Sequence, residues 1–573
     1  MPRPLASALC LALAFSACAA PKPSQATAAA SPSSEPSLFG NLGRHYRFVS
    51  TKSVHAQRWF DQGLVLAFAF NHDEAIRSFR RCADLDPDCA MAWWGVALCN
   101  GPHINNPSMD PEHSAAAWQA LQRARARTAG ASPVERALID ALGQRYAEKP
   151  PEDRAPLDQA YAEAMRGVWK ENQKDADVGA LCAEALMDLH PWDLWNGDGT
   201  PKPHTPEIVE LLEKVLAMAP MHPLANHLYI HAVESSPHPE KALASADRLQ
   251  TLVPGAGHLV HMPAHIYARC GRWTEAATAN ERAIEVDRAY RARSPRQGFY
   301  HVYMSHNHQF LAWGSMMEGR SATAIAEARR MVAEIPPEMA EPMAPFIDGL
   351  VALPYGALMR FGRWDEILSE PEPPAYLPVT RALRHFARGT ALASTGKLDE
   401  AEAERKAIDG IAAGVKDGTT VGNSQAKDIL SIASHALAGE IAAQKGENDA
   451  AVAELLQAVK IEDGNRYDEP PDWLQPVRHS LGAVLLRAGK PAEAERVYRE
   501  DLVRWPENGW SLWGLAAALA KQGKTKDADA ARARFEKAWA RADVKIDSTC
   551  LCLPGVACAG PAPEGGVASS GSR

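Results

Sequence analysis

The chain has 573 residues, of which 46% are hydrophobic and 23% are charged, proportions typical of a folded protein. Its formal net charge is −9 and its pI is about 6.1. These values argue against a general nucleic-acid binder, because such a protein needs a basic face to displace counterions from phosphates. Alanine-rich helical runs dominate and runs of β-branched residues are scarce, which predicts an all-α fold.

Residues 1–18 have the features of an export signal. Arg3 precedes an apolar stretch of eleven residues, Leu5 to Phe15, which is too short to span a bilayer as a helix. The stretch runs into "FSAC", and the arrangement resembles the signal of bacterial lipoproteins. That resemblance implies that Cys18 is lipidated and becomes the new N-terminus. The alternative is an ordinary signal peptide cleaved near Ala19 or Ala20.

The lipoprotein resemblance also implies a location. It places the protein in the cell envelope, facing the periplasm or the cell surface, with the lipid as its sole membrane attachment. Because Ala19 rather than Asp follows the cysteine, it favours the outer membrane. No other stretch is apolar for the roughly 18 residues that a spanning helix needs.

Two segments are predicted to remain unfolded. Residues 19–44 form a Pro/Ser/Ala-rich tether, and residues 544–573 form a Cys/Gly/Pro tail. A disulfide is favoured over a metal site among Cys550, Cys552 and Cys558, because no histidine is nearby. Other cysteines fall in helical runs and are predicted to be buried thiols: Cys82, Cys89, Cys99, Cys182 and Cys270.

Several windows of the sequence share small residues, an aromatic residue and a proline at fixed offsets. "WFDQGLVLAFAFNHDEAIRSFRRCADLDP" and "SLGAVLLRAGKPAEAERVYREDLVRWP" show the scheme most clearly. In the first, Gly63 and Ala75 permit close approach of two helices, Phe79 fills the space between units, and Pro87 ends the second helix. In the second, the corresponding residues are Gly482, Ala494, Tyr498 and Pro506.

This scheme resembles the tetratricopeptide repeat (TPR), which has a period of about 34 residues and two antiparallel helices per unit. The resemblance implies an all-α, right-handed superhelical solenoid of about nine to thirteen helix pairs with a concave groove. N-terminal repeats are predicted over 45–140, degenerate His-rich repeats over 141–335 and C-terminal repeats over 336–543. The groove of such repeats commonly binds a peptide or protein partner.

The central repeats carry a repeated histidine pattern. His227 and His261 are 34 residues apart, as are His231 and His265. His227, His231 and Glu234 have i, i+4, i+7 spacing, and His258 lies three residues before His261. Each set therefore forms a stripe on one helix face, and we expect both stripes to converge in the groove.

Imidazoles at this spacing predict a site for a divalent transition metal such as zinc, copper or iron. The predicted ligands are His227, His231, Glu234, His258, His261 and His265. Two alternatives remain open: a metal-free polar groove for an acidic or aromatic ligand, and a purely structural histidine network. Pro263 predicts that the helix either kinks or begins there, which makes the place of His258 the least secure of the six.

Three further residues are predicted to accompany the groove. His190 and Trp192 lie in a Pro/Gly-rich aromatic insertion that could cap it, although an insertion packed by its own tryptophans is the alternative. His306 falls on the histidine stripe of the next unit.

The sequence contains no serine-hydrolase elbow, phosphate-binding loop or dinucleotide fingerprint. Two classes of function remain, and catalytic residues are not predicted. One is an exported TPR scaffold that binds a ligand or protein partner and carries a histidine metal site, or a scaffold without metal. The other is a metal-dependent oxidase or hydrolase in which Glu234 is the base or a bridging ligand.

Overall fold

A computed structural model describes residues 37–294 and 298–553. Over these residues the protein is an all-α repeat solenoid, as predicted. Among the described residues, Thr420–Val421 runs antiparallel to Ser424–Gln425 as a short hairpin, and two isolated bridges join His103 to Asn106 and Trp195 to Pro201. None of the described helices is both long and apolar enough to cross a bilayer.

Helices follow one another along the whole described chain. The first group is α1 (Val54–Phe68), α2 (His72–Leu85), α3 (Ala90–Cys99), α4 (Pro111–Arg125), α5 (Pro133–Leu142), α6 (Ala155–Glu171), α7 (Ala176–Met187) and α8 (Thr205–Met218). The central group is α9 (Pro223–Val233), α10 (Leu243–Leu252), α11 (Gly257–His261), α12 (Pro263–Arg269), α13 (Trp273–Arg291), α14 (Tyr300–Met317) and α15 (Ser321–Ala333).

The remaining helices build the C-terminal repeats. They are α16 (Pro337–Ala340), α17 (Ala344–Ile347), α18 (Leu353–Arg360), α19 (Trp364–Ser369), α20 (Pro378–Ser394), α21 (Leu398–Gly414), α22 (Ala426–Lys445), α23 (Asn448–Gly464), α24 (Val477–Arg487), α25 (Pro491–Arg504), α26 (Gly509–Lys521) and α27 (Thr525–Ala538). Short 3-10 turns occur at Thr128–Gly130, Pro239–Ala242 and Leu350–Ala352.

Glycine and an aromatic ring set the helix spacing in the first repeat. A Cβ added to Gly63 or to Gly95 would lie 2.7 Å from ring atoms of Phe79. The fully buried Phe79 therefore sits between α1 of its own unit and α3 of the next. Tyr498 takes the same position against Gly482 and Gly514 near the C-terminus. The offsets in the sequence thus have the packing role that the TPR resemblance implies.

The two ends of the solenoid pack against its middle. Near the N-terminus, the Tyr290 hydroxyl of α13 donates to Glu74 Oε2 at 3.1 Å. Near the C-terminus, Trp273 Nε1 donates to the carbonyl of Pro506 at 2.8 Å, and Trp510 Nε1 donates to that of Met316 at 2.8 Å. The chain itself therefore covers the central repeats.

Parts of the predicted tether and of the predicted tail pack against the repeats in the structure. In the tether, the Asn41 carbonyl accepts a hydrogen bond of 2.8 Å from the Gly255 amide. In the tail, Thr549 Oγ1 donates to the His479 carbonyl at 2.7 Å, and Leu553 is buried. Both segments have backbone partners on neighbouring repeats, which composition does not reveal. Residues 1–36, with Cys18, and 554–573, with Cys558, lie outside the described residues.

The predicted cysteine chemistry agrees with the structure. Cys550 and Cys552 form a disulfide. The five helical-run cysteines are free thiols, four of them buried and Cys270 half-buried.

Candidate metal centre

The central histidines come from consecutive repeats. His227 and His231 lie one turn apart on α9, which begins at Pro223. Proline suits this first position because the backbone N–H that it lacks would have no partner within the helix. His258 and His261 lie on α11, and His265 lies on α12. All five rings are buried, with His227 and His261 at 0% exposure and His231 at 6%. They therefore face the interior rather than an open groove, which corrects the predicted setting.

Pro263 interrupts the second histidine helix without displacing its side chains. Met262, between α11 and α12, keeps right-handed helical angles of φ −48° and ψ −36°. Pro263 then occupies the first turn of α12, where it is tolerated. A second helix thus begins at Pro263, but His258 and His261 lie on the helix α11 before it rather than on a loop, with their rings 5.9 Å apart.

The imidazoles form two trios. The first trio is His227, His231 and His258, and the second is His261, His265 and His306 of α14. Within each trio, one nitrogen per residue lies within 4.8 Å of the others. His227 Nε2 is 3.1 Å from His258 Nε2, and His261 Nε2 is 2.9 Å from His265 Nε2.

Glu234 contacts one histidine of each trio at Nδ1, the ring nitrogen opposite the Nε2 atoms. Its Oε1 accepts a hydrogen bond of 2.9 Å from Nδ1 of His231, and its Oε2 lies 2.8 Å from Nδ1 of His265. Glu234 was predicted as a ligand beside the histidines. The structure instead places it where it orients one imidazole from each trio, although it also groups with His265 and Glu469 as a third possible metal-binding set.

Two further acceptors hold the imidazoles of His227 and His261. His227 Nδ1 donates to the carbonyl of Phe68 at 2.9 Å. His261 Nδ1 donates to Oδ1 of Asn280 at 2.7 Å, while the Asn280 amide donates to the Ala276 carbonyl. Acceptors on Nδ1 are what metal-binding histidines commonly have, because they fix the ring and its tautomer.

These contacts fix where the protons are. With Nδ1 protonated on His227, His231 and His261, a neutral ring presents an unprotonated Nε2. Three such nitrogens face the trios, and His231 Nε2 has no hydrogen-bond partner among the described residues. Nitrogens about 3 Å apart repel unless a proton or a cation lies between them. The arrangement is therefore suited to a positive ion.

Burial keeps most of these rings neutral. It lowers the pKa of His227, His258 and His261 well below the usual value, and lowers that of His306 to about 4. Neutral imidazole is the form that binds a metal.

The Glu234–His265 pair is charged instead. Burial opposes both charges, but His265 and His231 together lower the pKa of Glu234 to about 2. Glu234 and Glu469 likewise raise the pKa of His265 to about 10. A buried carboxylate thus lies beside the trios and could offset part of a metal ion's charge.

Aromatic rings enclose the trios. Tyr303 lies 4.4 Å from the ring of His258, and Phe70 lies 4.5 Å from that of His227. Phe310 lies 5.3 Å from His261 and 5.1 Å from His265. Such a shell keeps water from most of the site and strengthens electrostatic interactions within it.

One cleft reaches the first trio. It has a volume of about 330 Å³ and is lined mainly by apolar side chains: Ile104, Met187, Trp192, Leu194 and Tyr467, with His190, Ser235, His231 and Glu234. Trp192 lies 5.2 Å from the ring of His231, and its Nε1 donates to Asn105 Oδ1 at 3.0 Å. Trp192 therefore packs against His231 at the cleft.

The two other predicted accessory residues, His306 and His190, lie in different places. His306 belongs to the second trio. His190 lines the cleft, where its ring stacks on that of His204 at 5.9 Å, and it joins neither trio. Residues not singled out from the sequence are Asn280, the Phe68 carbonyl and Glu469. The Phe68 carbonyl and Glu469 come from distant parts of the chain, and Asn280 lies on the following helix α13, 19 residues after His261.

A third imidazole cluster has a different proton arrangement. His45 and His222 place Nε2 at 2.9 Å and 3.1 Å from Oδ1 of Asp177. His222 Nδ1 accepts the amide of Ala225, so its proton is on Nε2 and points at the carboxylate. Arg47 pairs with the same carboxylate at 3.0 Å. This cluster is a satisfied ion-pair network that ties the N-terminal segment to α7.

A model of the tetratricopeptide repeat matches residues 56–89, the length of one unit. No curated protein matches the sequence significantly. Among solved structures, the human IFIT1 dimer with m7Gppp-AAAA is 13% identical, with 85% of this chain and 90% of that chain covered at a TM-score of 0.31. The APC/C hetero-tetramer Cut9-Hcn1 is 15% identical, with 81% and 76% covered at a TM-score of 0.30. The repeat match and the helix pairs define a TPR-like repeat protein, and the structural likenesses add nothing to its function.

Proposed function

We propose that this TPR-like protein binds transition-metal ions through its two histidine trios. The observation that carries the proposal is the position of the Nδ1 acceptors. Three buried imidazoles, those of His227, His231 and His261, are held with unprotonated Nε2 atoms directed at the trios, and no described donor satisfies His231 Nε2. A structural histidine network would instead pair its nitrogens with donors and acceptors, as the Asp177 cluster does.

Ligand chemistry narrows the choice of ion. Each trio offers only imidazole nitrogen, which suits copper, zinc, iron and nickel, whereas carboxylate and carbonyl oxygens suit magnesium, calcium and manganese. Copper binds such ligands most tightly among the divalent first-row ions. The proposed cofactor is therefore copper or zinc, with iron less favoured because neither trio includes a carboxylate.

Metal content tests the proposal. Protein purified without a histidine tag and reconstituted with copper or zinc is analysed by plasma mass spectrometry. We expect near-stoichiometric metal in the wild type and its loss in the His227→Ala/His261→Ala variant. The control is His385→Ala/His435→Ala, because these rings pair with Glu404 and Glu454 outside the cluster. Absence of metal from the reconstituted wild type would return the protein to the class of metal-free scaffolds.

Export and lipid anchoring belong to the same proposal. They rest on the N-terminal sequence, with Cys18 as the lipidated residue and the outer membrane as the destination. Metabolic labelling with a fatty acid should mark the wild type and leave Cys18→Ser unlabelled. If the wild type is secreted without label, the segment is an ordinary signal peptide.

A metal-dependent oxidase is the second candidate. Three protein ligands leave a metal with an open position, as catalytic sites require. The cleft beside Trp192 gives a small molecule a path to that position. A hydrolase with Glu234 as base is less favoured, because both carboxylate oxygens of Glu234 are engaged by histidine Nδ1 atoms.

A peptide or protein partner remains a further proposal. The ends of the solenoid cover its central repeats, which leaves less of the groove open there. A cavity of about 800 Å³ between the C-terminal helices is lined largely by apolar side chains, among them Tyr355, Trp364, Phe386 and Trp473. This cavity, rather than the central groove, is the proposed place for an apolar ligand or partner segment.

A further inference from the structure

We infer that the two histidine trios bind two separate, adjacent metal ions as a binuclear centre. The inference rests on the proposed metal binding and goes beyond it in the number of ions and their coupling. It also defines a class of ligand, namely a small oxygen species such as hydroxide that bridges both ions.

The first argument is the grouping of the ligand atoms. Three nitrogens lie within 4.8 Å of one another in each trio, but the six do not form one such group among the described residues. A single ion with bonds of about 2.0–2.1 Å to imidazole requires its ligand atoms to be mutually close. One ion can therefore use one trio, and the second trio remains available for another.

The second argument is the internal repetition. Each trio contains an i, i+4 pair from one repeat, His227 with His231 and His261 with His265, and the pairs are 34 residues apart. Each pair gains a third ring from the next helix but one, His258 on α11 after the pair on α9, and His306 on α14 after the pair that ends on α12. The two trios are thus built in the same way by successive units of the solenoid.

The third argument is the contact between the trios. The ring of His231 lies 5.7 Å from that of His265, and the ring of His258 lies 5.9 Å from that of His261. Glu234 holds one ring of each trio on a single carboxylate. Packed helices are typically 8–10 Å apart, so sites on neighbouring repeats lie side by side.

Two adjacent ions with three protein ligands each would leave open positions that face a shared space. In two-metal sites the ions are about 3.5–4 Å apart and one oxygen ligand can contact both. The aromatic rings of Phe70, Tyr303 and Phe310 pack against the histidines and would limit the access of bulk water to the ions. Hydroxide is the expected bridge because water can lose a proton readily when bound to a metal.

Copper stoichiometry combined with electron paramagnetic resonance (EPR) tests the inference on the full-length protein. Each isolated Cu(II) carries one unpaired electron, whereas two Cu(II) ions joined by a bridging oxygen pair their spins. We expect two coppers per chain and an EPR signal far below that of the bound copper. The variants His258→Gln and His306→Gln each remove one ligand from one trio. Each should bind one copper that gives a full EPR signal.

His306 is half-buried, so its replacement should disturb the fold less than that of the buried His258. A folded His306→Gln protein therefore keeps the test decisive. One copper in the wild type overturns the binuclear inference and leaves the proposed metal binding intact. Two coppers with full EPR intensity also overturn it, because the ions are then too far apart to share a ligand. No bound copper or zinc overturns both proposals.

Discussion

Oε2 of Glu234 lies 2.8 Å from Nδ1 of His265, an imidazole whose Nε2 meets that of His261 at 2.9 Å. The same carboxylate bonds Nδ1 of His231 in the other trio. One buried anion thus orients a ligand of each proposed ion, and this relationship makes Glu234 the most informative residue to change.

Glu234→Gln should weaken metal binding without abolishing it. The amide keeps the shape of the side chain but loses the negative charge, and loss of such an outer acceptor typically costs roughly 10–100-fold in metal affinity. Competition with a chelator of known affinity measures the change. Glu240→Gln, at an exposed carboxylate paired with His238, is the control. Wild-type affinity in Glu234→Gln would contradict the orienting role.

Metal removal should destabilise the central repeats. An ion that binds the folded state alone adds about 2.7 kcal/mol at a free concentration of 100 times its Kd. We therefore expect chelation to lower the thermal midpoint of the wild type. The His227→Ala/His261→Ala variant should show no change with chelator, and an equal shift in both proteins would place the effect elsewhere.

Trp192→Ala should open the cleft. Trp192 covers His231 and is fixed by its hydrogen bond to Asn105, so its removal exposes the first trio to solvent. We expect a chelator to extract metal several-fold faster, with the metal stoichiometry unchanged. Trp118→Ala, at a half-buried tryptophan on α4, is the comparison. Equal extraction rates in the two variants would mean that ions leave by another route.

If the protein is an oxidase, its copper pair should react with dioxygen. After anaerobic reduction with one ascorbate per two coppers, the two Cu(I) ions would give one electron each to one O₂, which takes two protons from water to become hydrogen peroxide and leaves two Cu(II). An oxygen electrode should record about one O₂ consumed per two coppers on a rapid timescale, by the stoichiometry of a two-ion site. His306→Gln should lose this rapid phase. A phase that persists in this variant would indicate chemistry at a single ion.

The Asp177 network should stabilise the protein in a pH-dependent way. Burial alone would raise the pKa of Asp177, but hydrogen bonds from His222 and His45 hold it well below its usual value. Its contribution is therefore present above the unfolded pKa of about 4 and is lost as the pH falls through the folded value. Asp177→Asn should lose about 3 kcal/mol at pH 7, because it leaves buried Arg47 without its full charge partner.

Urea unfolding at several pH values checks this prediction. The difference between wild type and Asp177→Asn should narrow as the pH falls below about 4. Asp84→Asn, at an exposed position, should match the wild type throughout. A difference that grows in acid would reverse the assigned sign.

The sequence by itself determined the helical repeats and the two histidine pairs. Gly63, Phe79 and their counterparts set helix packing locally, and a spacing of 34 residues places His227 and His261 at equivalent positions. Helical periodicity puts residues four apart on one face, so each pair follows from its own segment. These features depend on neighbours along the chain and can be read without the fold.

Tertiary structure decided how these pairs become a site. His258 joins the pair of the preceding repeat, and the Phe68 carbonyl arrives from a helix 159 residues before His227. Because both ends of the described chain pack against the central repeats, the histidines lie in a buried interior rather than in the groove that we expected. Burial and the Nδ1 acceptors set the protonation of His227 and His261, because both depend on the dielectric and contacts of the folded chain. Those quantities have no local signature in the sequence.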